Sequence, residues 1–147
     1  GTINLHTGLS PYIRGGPNCT NWCLATRRPW MIGNTLMWID EGIDSGDVLA
    51  TEGTPIDGRE TLLQLHRRVM DHAHDLTCRT VTAVEHGRVT PRAQESFSTS
   101  GDLYLTRDWG PRHMLRASLY LRTRYRHEVS RPSFTDQRKR LEFVELK

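Results

Sequence analysis

Apolar positions along the chain fall into short runs near the start and into two helical repeats further on. The run from Ile3 to Leu5 stops at Thr7-Gly8 and reads as the end of a buried strand. Asn4 and His6 stand two apart, so on a strand both side chains leave by one face. Residues 31–39 are almost continuously apolar, the pattern of a strand covered on both faces. Residues 48–56 read as the next strand, with Gly53 and Pro55 marking it as edge or bulged. Leu62, Leu65, Val69, Ala73, Leu76 and Val84 then recur at helical intervals. They predict a long helix over residues 57–86, capped by Asp57 with Glu60 at capping-box spacing and stopped by Gly87.

Turn chemistry fills the gaps. Residues 8–18 hold Ser10-Pro11 and Gly15-Gly16-Pro17 and read as a loop. Residues 18–27 predict a short helix capped by Asn18 or Thr20. Trp22 on that helix reads as core in preference to a ligand contact. Residues 92–103 are rich in Ser, Thr and Gly and predict a linker, with a short strand at 101–105. Residues 112–127 predict another helix, in which Met114, Leu115, Leu119 and Leu121 alternate with Arg116, Arg122, Arg124 and Arg126.

The 147 residues suit one domain with a real core. No run of 18 or more apolar residues is present, so no membrane helix or membrane partner is expected. Net charge is +3 and the positive residues gather toward the end, with Arg138-Lys139-Arg140. That end is either a solvated face or a phosphate-binding one; motifs that stack RNA bases are absent, so nucleic acid is not expected as a partner. Cys19, Cys23 and Cys78 are an odd set that makes a poor zinc site, and no metal is expected. Reduced thiols fit a cytoplasmic protein. His66, His72 and His74 read as structural or solvent-facing.

The chemistry lies near the start. An imidazole moves protons near neutral pH, and a neighbouring amide can donate to a developing oxyanion. Asn4 and His6 supply both. The missing carboxylate is offered by the acidic loop from Asp40 to Asp47, which follows the best strand. Arg14, beside Gly15 and Gly16, is either a phosphate or carboxylate contact or an ordinary surface arginine.

Asn4-x-His6, the loop Ser10-Pro11 with Arg14-Gly15, and the strand ending in Asp40-Glu41-Gly42-Ile43-Asp44-Ser45-Gly46-Asp47 together resemble the formyltransferases that use 10-formyltetrahydrofolate. The wording from His6 to Tyr12 is most similar to the branch that acts on sugar nucleotides. The resemblance is strong from Thr2 to about Ile56, fair to about Pro91 and weak beyond. It implies an α/β fold: the later half of a formyltransferase-type Rossmann-like sheet with flanking helices, plus a small C-terminal extension. Residues 1–91 would be the C-terminal portion of the catalytic domain, lacking amino-terminal βαβ units, and 92–147 a linker and basic extension.

The same resemblance implies the roles of residues. Asn4, His6 and Asp44 would be catalytic, with Asp44 holding His6 and raising its pKa. Asp40, Glu41, Gly42 and Ile43 would line the folate site. Tyr12, Arg14, Gly15, Gly16 and Asn18 would meet the acceptor. The implied reaction formylates the amine of a nucleotide-linked amino-dideoxyhexose, dTDP-linked above all, of the kind built into polysaccharides. A homodimer is a further expectation. Within the family the alternative acceptor is tRNA or a ribonucleotide. From another class, the chain would be an inactive remnant that serves as a binding module.

Overall fold

A computed structural model describes residues 1–16 and 18–146. The chain forms a mixed α/β fold, as expected. Its main sheet has three strands, β1 (Ile3–His6), β3 (Gly33–Trp38) and β4 (Val48–Gly53), in the order β1-β3-β4. Both pairings are antiparallel, with His6 opposite Thr35 and Ile3 opposite Trp38 in the first. The strand expected over 31–39 is shorter at its start because Pro29–Met31 turns as a 3-10 helix, which Pro29 favours.

Helix α1 (Cys19–Ala25) is capped by Asn18, whose side chain accepts from the Asn21 N–H. Helix α2 (Leu62–Glu85) packs Leu65, Val69, Ala73, Leu76, Thr80 and Ala83 inward. Its start corrects the expected one. Thr61 and Gln64 form the capping box, and Asp57 with Glu60 instead closes the preceding turn, where Glu60 accepts from the N–H groups of Asp57 and Gly58. Two boxes of equal spacing compete here. The later one wins because Glu60, buried at 7% exposure, is also bonded by Arg68 and the Tyr125 hydroxyl.

Within residues 8–18 the structure places a strand that the turn chemistry hides. β2 (Ile13–Gly15) pairs in parallel with β5 (Asp102–Tyr104). Gly15 sits at φ +86, and a Cβ there would lie 2.0 Å from the Tyr104 carbonyl oxygen, so only glycine fits. The predicted helix over 112–127 is two, α3 (Pro111–Thr123) and α4 (Tyr125–Val129), followed by α5 (Pro132–Lys139). α3 buries Ala117 and Tyr120 and leaves Met114, Leu115 and Leu119 more than half exposed.

The chain after residue 91 packs into the same core as the chain before it. Phe97, Ala117, Tyr120, Tyr125, Val129 and Val144 share an apolar cluster with Leu9, Tyr12, Trp22 and Leu65. Arg92 exchanges two backbone hydrogen bonds with Val48. The basic end is not all surface: Arg138 donates to the carbonyls of Trp30, Ile32 and Thr54. No helix of the described residues is long and apolar enough to cross a membrane.

Candidate active site

Period-2 geometry puts Asn4 and His6 on one face of β1, and both turn to Asp44. Asn4 Nδ2 donates to Asp44 Oδ1 at 3.2 Å. His6 Nδ1 lies 3.2 Å from Asp44 Oδ2. The Gly15 N–H donates to the same Oδ2 at 2.9 Å. One carboxylate thus gathers three separate donors. Asp44 takes a left-handed backbone, φ +50, which aspartate tolerates better than most residues.

His6 is 7% exposed. Its Nε2 faces the Ile13 carbonyl at 3.1 Å and Cys19 Sγ at 3.6 Å. Gly8 lies against the ring, and a Cβ at that position would come within 2.4 Å of Nε2. Burial pushes the His6 pKa below its ordinary value; Asp44 and the Ile13 carbonyl pull it up by less, and the Arg14 cation adds to the lowering. Asp44 thus raises the His6 pKa, as expected, but desolvation of the ring outweighs the carboxylate and the net shift is downward. With Nδ1–H on Asp44, a neutral ring leaves Nε2 as an acceptor for the Cys19 thiol, whereas donation from Nε2–H to the Ile13 carbonyl requires the protonated ring or the other tautomer.

Asp40, Glu41, Gly42 and Ile43 form the exposed outer part of the loop. Asp40 accepts from the Gly42 N–H and the Ser45 hydroxyl, which tightens the turn. Ile39 and Ile43 are each 57% exposed and give the loop an apolar surface. A space of about 40 Å³ lies between this loop, Asn4 and Trp38. These residues make a wall, not an enclosed pocket.

The residues expected at the acceptor are divided. Arg14 is half-buried, and its Nε has no hydrogen-bond partner among the described residues. Gly16 accepts from Trp22 Nε1. Gly15 spends its N–H on Asp44, and Asn18 caps α1 while lining a cavity of about 200 Å³ with Thr7, Thr20 and His66. Tyr12 departs from the expectation. Its ring is 4% exposed, and its hydroxyl accepts from the Glu142 N–H at 2.6 Å. Core packing and that bond leave it no ligand-facing group.

Trp22 is core, stacked on Tyr104 at 4.3 Å between centroids. His66 meets Asn21, and His72 meets Glu52. No cluster of three metal-ligating side chains occurs among the described residues. Sequence reasoning missed Gln94, which donates from Nε2 to the carbonyls of Asp44 and Gly46. A glutamine in a polar stretch carries no pattern that would have flagged it.

The family model described as formyl transferase matches residues 1–81. The methionyl-tRNA formyltransferase of Pelobacter propionicus is 34% identical over 94 residues, 64% of this chain and 29% of that protein. The one from Syntrophus aciditrophicus is 37% identical over 100 residues, 68% and 31% respectively. The chain spans about three tenths of the length of these curated relatives.

Among solved structures, the formyltransferase PseJ from Anoxybacillus kamchatkensis, in complex with UDP-4,6-dideoxy-4-formamido-L-AltNAc and tetrahydrofolate, superposes with TM-score 0.62. It is 22% identical and covers 72% of this chain and 53% of its own. The N-formyltransferase from Helicobacter canadensis, in complex with folinic acid and dTDP-3-aminofucose, gives TM-score 0.63 at 17% identity, over 81% and 46%. At such identity these two speak for the fold. The match over more than half of the sequence decides the family: this chain belongs to the formyl transferases.

Proposed function

We propose that the protein moves a formyl group from 10-formyltetrahydrofolate to the primary amine of a nucleotide-linked amino-dideoxyhexose. The observation that carries the reading is the Asp44 carboxylate holding Asn4, His6 and the Gly15 N–H together. The amine nitrogen attacks the formyl carbon, and the bond from that carbon to N10 breaks. Asn4 uses one N–H on Asp44 and has a second for the oxyanion of the tetrahedral intermediate. His6 takes the proton that the attacking nitrogen loses and returns it to the leaving N10. For that step one ring nitrogen must face the reactants, so the ring releases the Ile13 carbonyl during turnover. The exposed loop at Asp40, Glu41, Gly42 and Ile43 offers the flat pterin an apolar wall with backbone groups. Arg14, half-buried beside Gly15 and Gly16, suits the phosphate of a nucleotide.

A second acceptor has its own support. The curated relatives at 34% and 37% identity are methionyl-tRNA formyltransferases, which favours an aminoacyl-tRNA. The wording from His6 to Tyr12 favours the sugar. The test is formyl transfer with 10-formyltetrahydrofolate and a panel of dTDP-amino sugars and methionyl-tRNA, read by mass spectrometry. A product from one sugar alone, lost by roughly 10²-fold or more in Asn4→Ala and His6→Ala, is the expected result. A product from tRNA alone replaces the sugar by tRNA as acceptor. No product from a cooperatively folded chain overturns the enzymatic reading in favour of a binding module.

A further inference from the structure

Asp44 is held to its partners by its carboxylate, and its loop is otherwise open. Residues 39–43 and Asp47 are exposed. Something must fix the backbone of a non-glycine residue at φ +50 if its two oxygens are to stay on Asn4 and His6. The only buried side chains in residues 91–100 are Gln94 and Phe97, and Gln94 points at this loop. Its Nε2 donates to the Asp44 carbonyl at 2.8 Å and to the Gly46 carbonyl at 2.9 Å. Both partners are acceptors, so the amide nitrogen must face them. Its Oε1 is buried without a partner among the described residues, which leaves the two carbonyls as the reason for a polar group at this place.

Gln94 is itself braced. Two residues earlier, Arg92 is locked to Val48 by paired backbone hydrogen bonds of 2.8 and 2.9 Å. Arg92 also packs its guanidinium over the Phe97 ring and bonds Glu142. The clamp therefore runs from β4 through Arg92 to the inner side of the loop. It lies beyond residues 1–81, so the family match does not account for it.

We infer that Gln94 is a positioning residue for the reaction: its two hydrogen bonds set the backbone of Asp44 and, through the carboxylate, the orientation and titration of His6. The inference rests on the proposed formyl transfer for its kinetic consequence, but its structural consequence stands alone.

The test uses Gln94→Met, which keeps the shape and removes both donors, and Gln94→Glu, which donates only while protonated. In the full chain, NMR titration follows the His6 ring, with Asp44→Asn as reference. The expected result is that Gln94→Met moves the His6 titration in the same direction as Asp44→Asn. It should also lower kcat by roughly tenfold to a hundredfold with KM unchanged, the cost of a displaced catalytic group. Gln94→Glu should retain activity at acidic pH relative to Gln94→Met and lose that advantage as its carboxyl ionises, which a merely structural role would not produce.

An unchanged His6 titration and kcat in a folded Gln94→Met overturns the inference. Should that variant not fold, the pH-dependent advantage of Gln94→Glu over Gln94→Ala decides in the same way. If the unaltered chain transfers no formyl group to any acceptor, the proposed function fails, and the His6 titration still judges Gln94.

Discussion

Asp44 Oδ2 lies 3.2 Å from His6 Nδ1, although the strand leading to Asp44 runs away from His6. The register places His6 beside Thr35 and Ile3 beside Trp38, so β3 ends at the far end of β1. The loop after β3 must curl back across the sheet to bring its carboxylate over Asn4 and His6. Replacing Asp44 by Asn removes the one charge that opposes burial of the ring. His6 should then titrate still lower, and turnover should fall by roughly 10²-fold or more. NMR titration and formyl-transfer rates check both; an unchanged His6 titration would contradict the pairing.

The same ring makes stability depend on pH. His6 and His66 both have pKa values lowered from 6.5, chiefly by burial. Below 6.5 the unfolded chain binds protons that the folded chain refuses, so folding stability is complete above 6.5 and falls as pH drops toward the folded pKa values. Urea midpoints from about pH 7.5 to about pH 5 should decline, and His66→Gln should make the decline shallower. Glu52, Asp57, Asp102 and Glu142, whose pKa values lie below the ordinary carboxylate ones, lose their contributions in a separate window at lower pH.

Tyr12 separates structure from binding. Tyr12→Phe removes the acceptor of the Glu142 N–H and should cost about 1 kcal/mol of stability. Kinetics toward any acceptor should stay as they are. A raised KM with stability unchanged would return Tyr12 to the acceptor site.

Arg138 carries the largest structural burden in the basic end. Burial lowers its pKa to about 10, and its guanidinium satisfies three carbonyls. Arg138→Met would leave the Trp30 and Thr54 carbonyls without this donor, the Ile32 carbonyl keeping the Thr54 N–H, and should destabilise by about 2 kcal/mol or more. Arg140→Met, on an exposed residue, should change stability by less than about 0.5 kcal/mol. Equal effects from the two would show that Arg138 is not held as described.

Thiol reactivity should report the packing around the site. Burial raises the Cys19 pKa to about 12 and raises that of Cys23 as well, whereas Cys78 is exposed. A thiol-disulfide reagent at about pH 8 should modify Cys78 in the folded chain and all three thiols after denaturation. Fast reaction of Cys19 in the folded state would mean that the His6 ring is not enclosed.

What was legible in the sequence was local. The shared face of Asn4 and His6 follows from a period of two, and Asn18 as a cap follows from side-chain chemistry. The carboxylate of Asp44 came from resemblance, since any of several acids in residues 40–47 satisfies spacing alone. β2 was hidden because its three residues gain their partner at 102–104, a pairing that no local pattern encodes. Arg138 was hidden among other basic residues because burial, not composition, gives it a role. Gln94 was hidden for the same reason.

The parallel pairing of β2 with β5 also bears on the order in which the molecule forms. β3 and β4 are joined by a short connection, so their pairing closes a small loop and is fast. Gly15 and Tyr104 meet only after almost ninety residues have been brought together. The hairpin and α2 should therefore be ordered early in refolding, with Gly15, Gln94 and the backbone of Asp44 falling into place last. During synthesis the motif near Asn4 leaves the ribosome long before the residues that brace its carboxylate partner. The arrangement of Asn4, His6 and Asp44 would then be completed in a late step, separable in time from the appearance of the secondary structure that carries the motif.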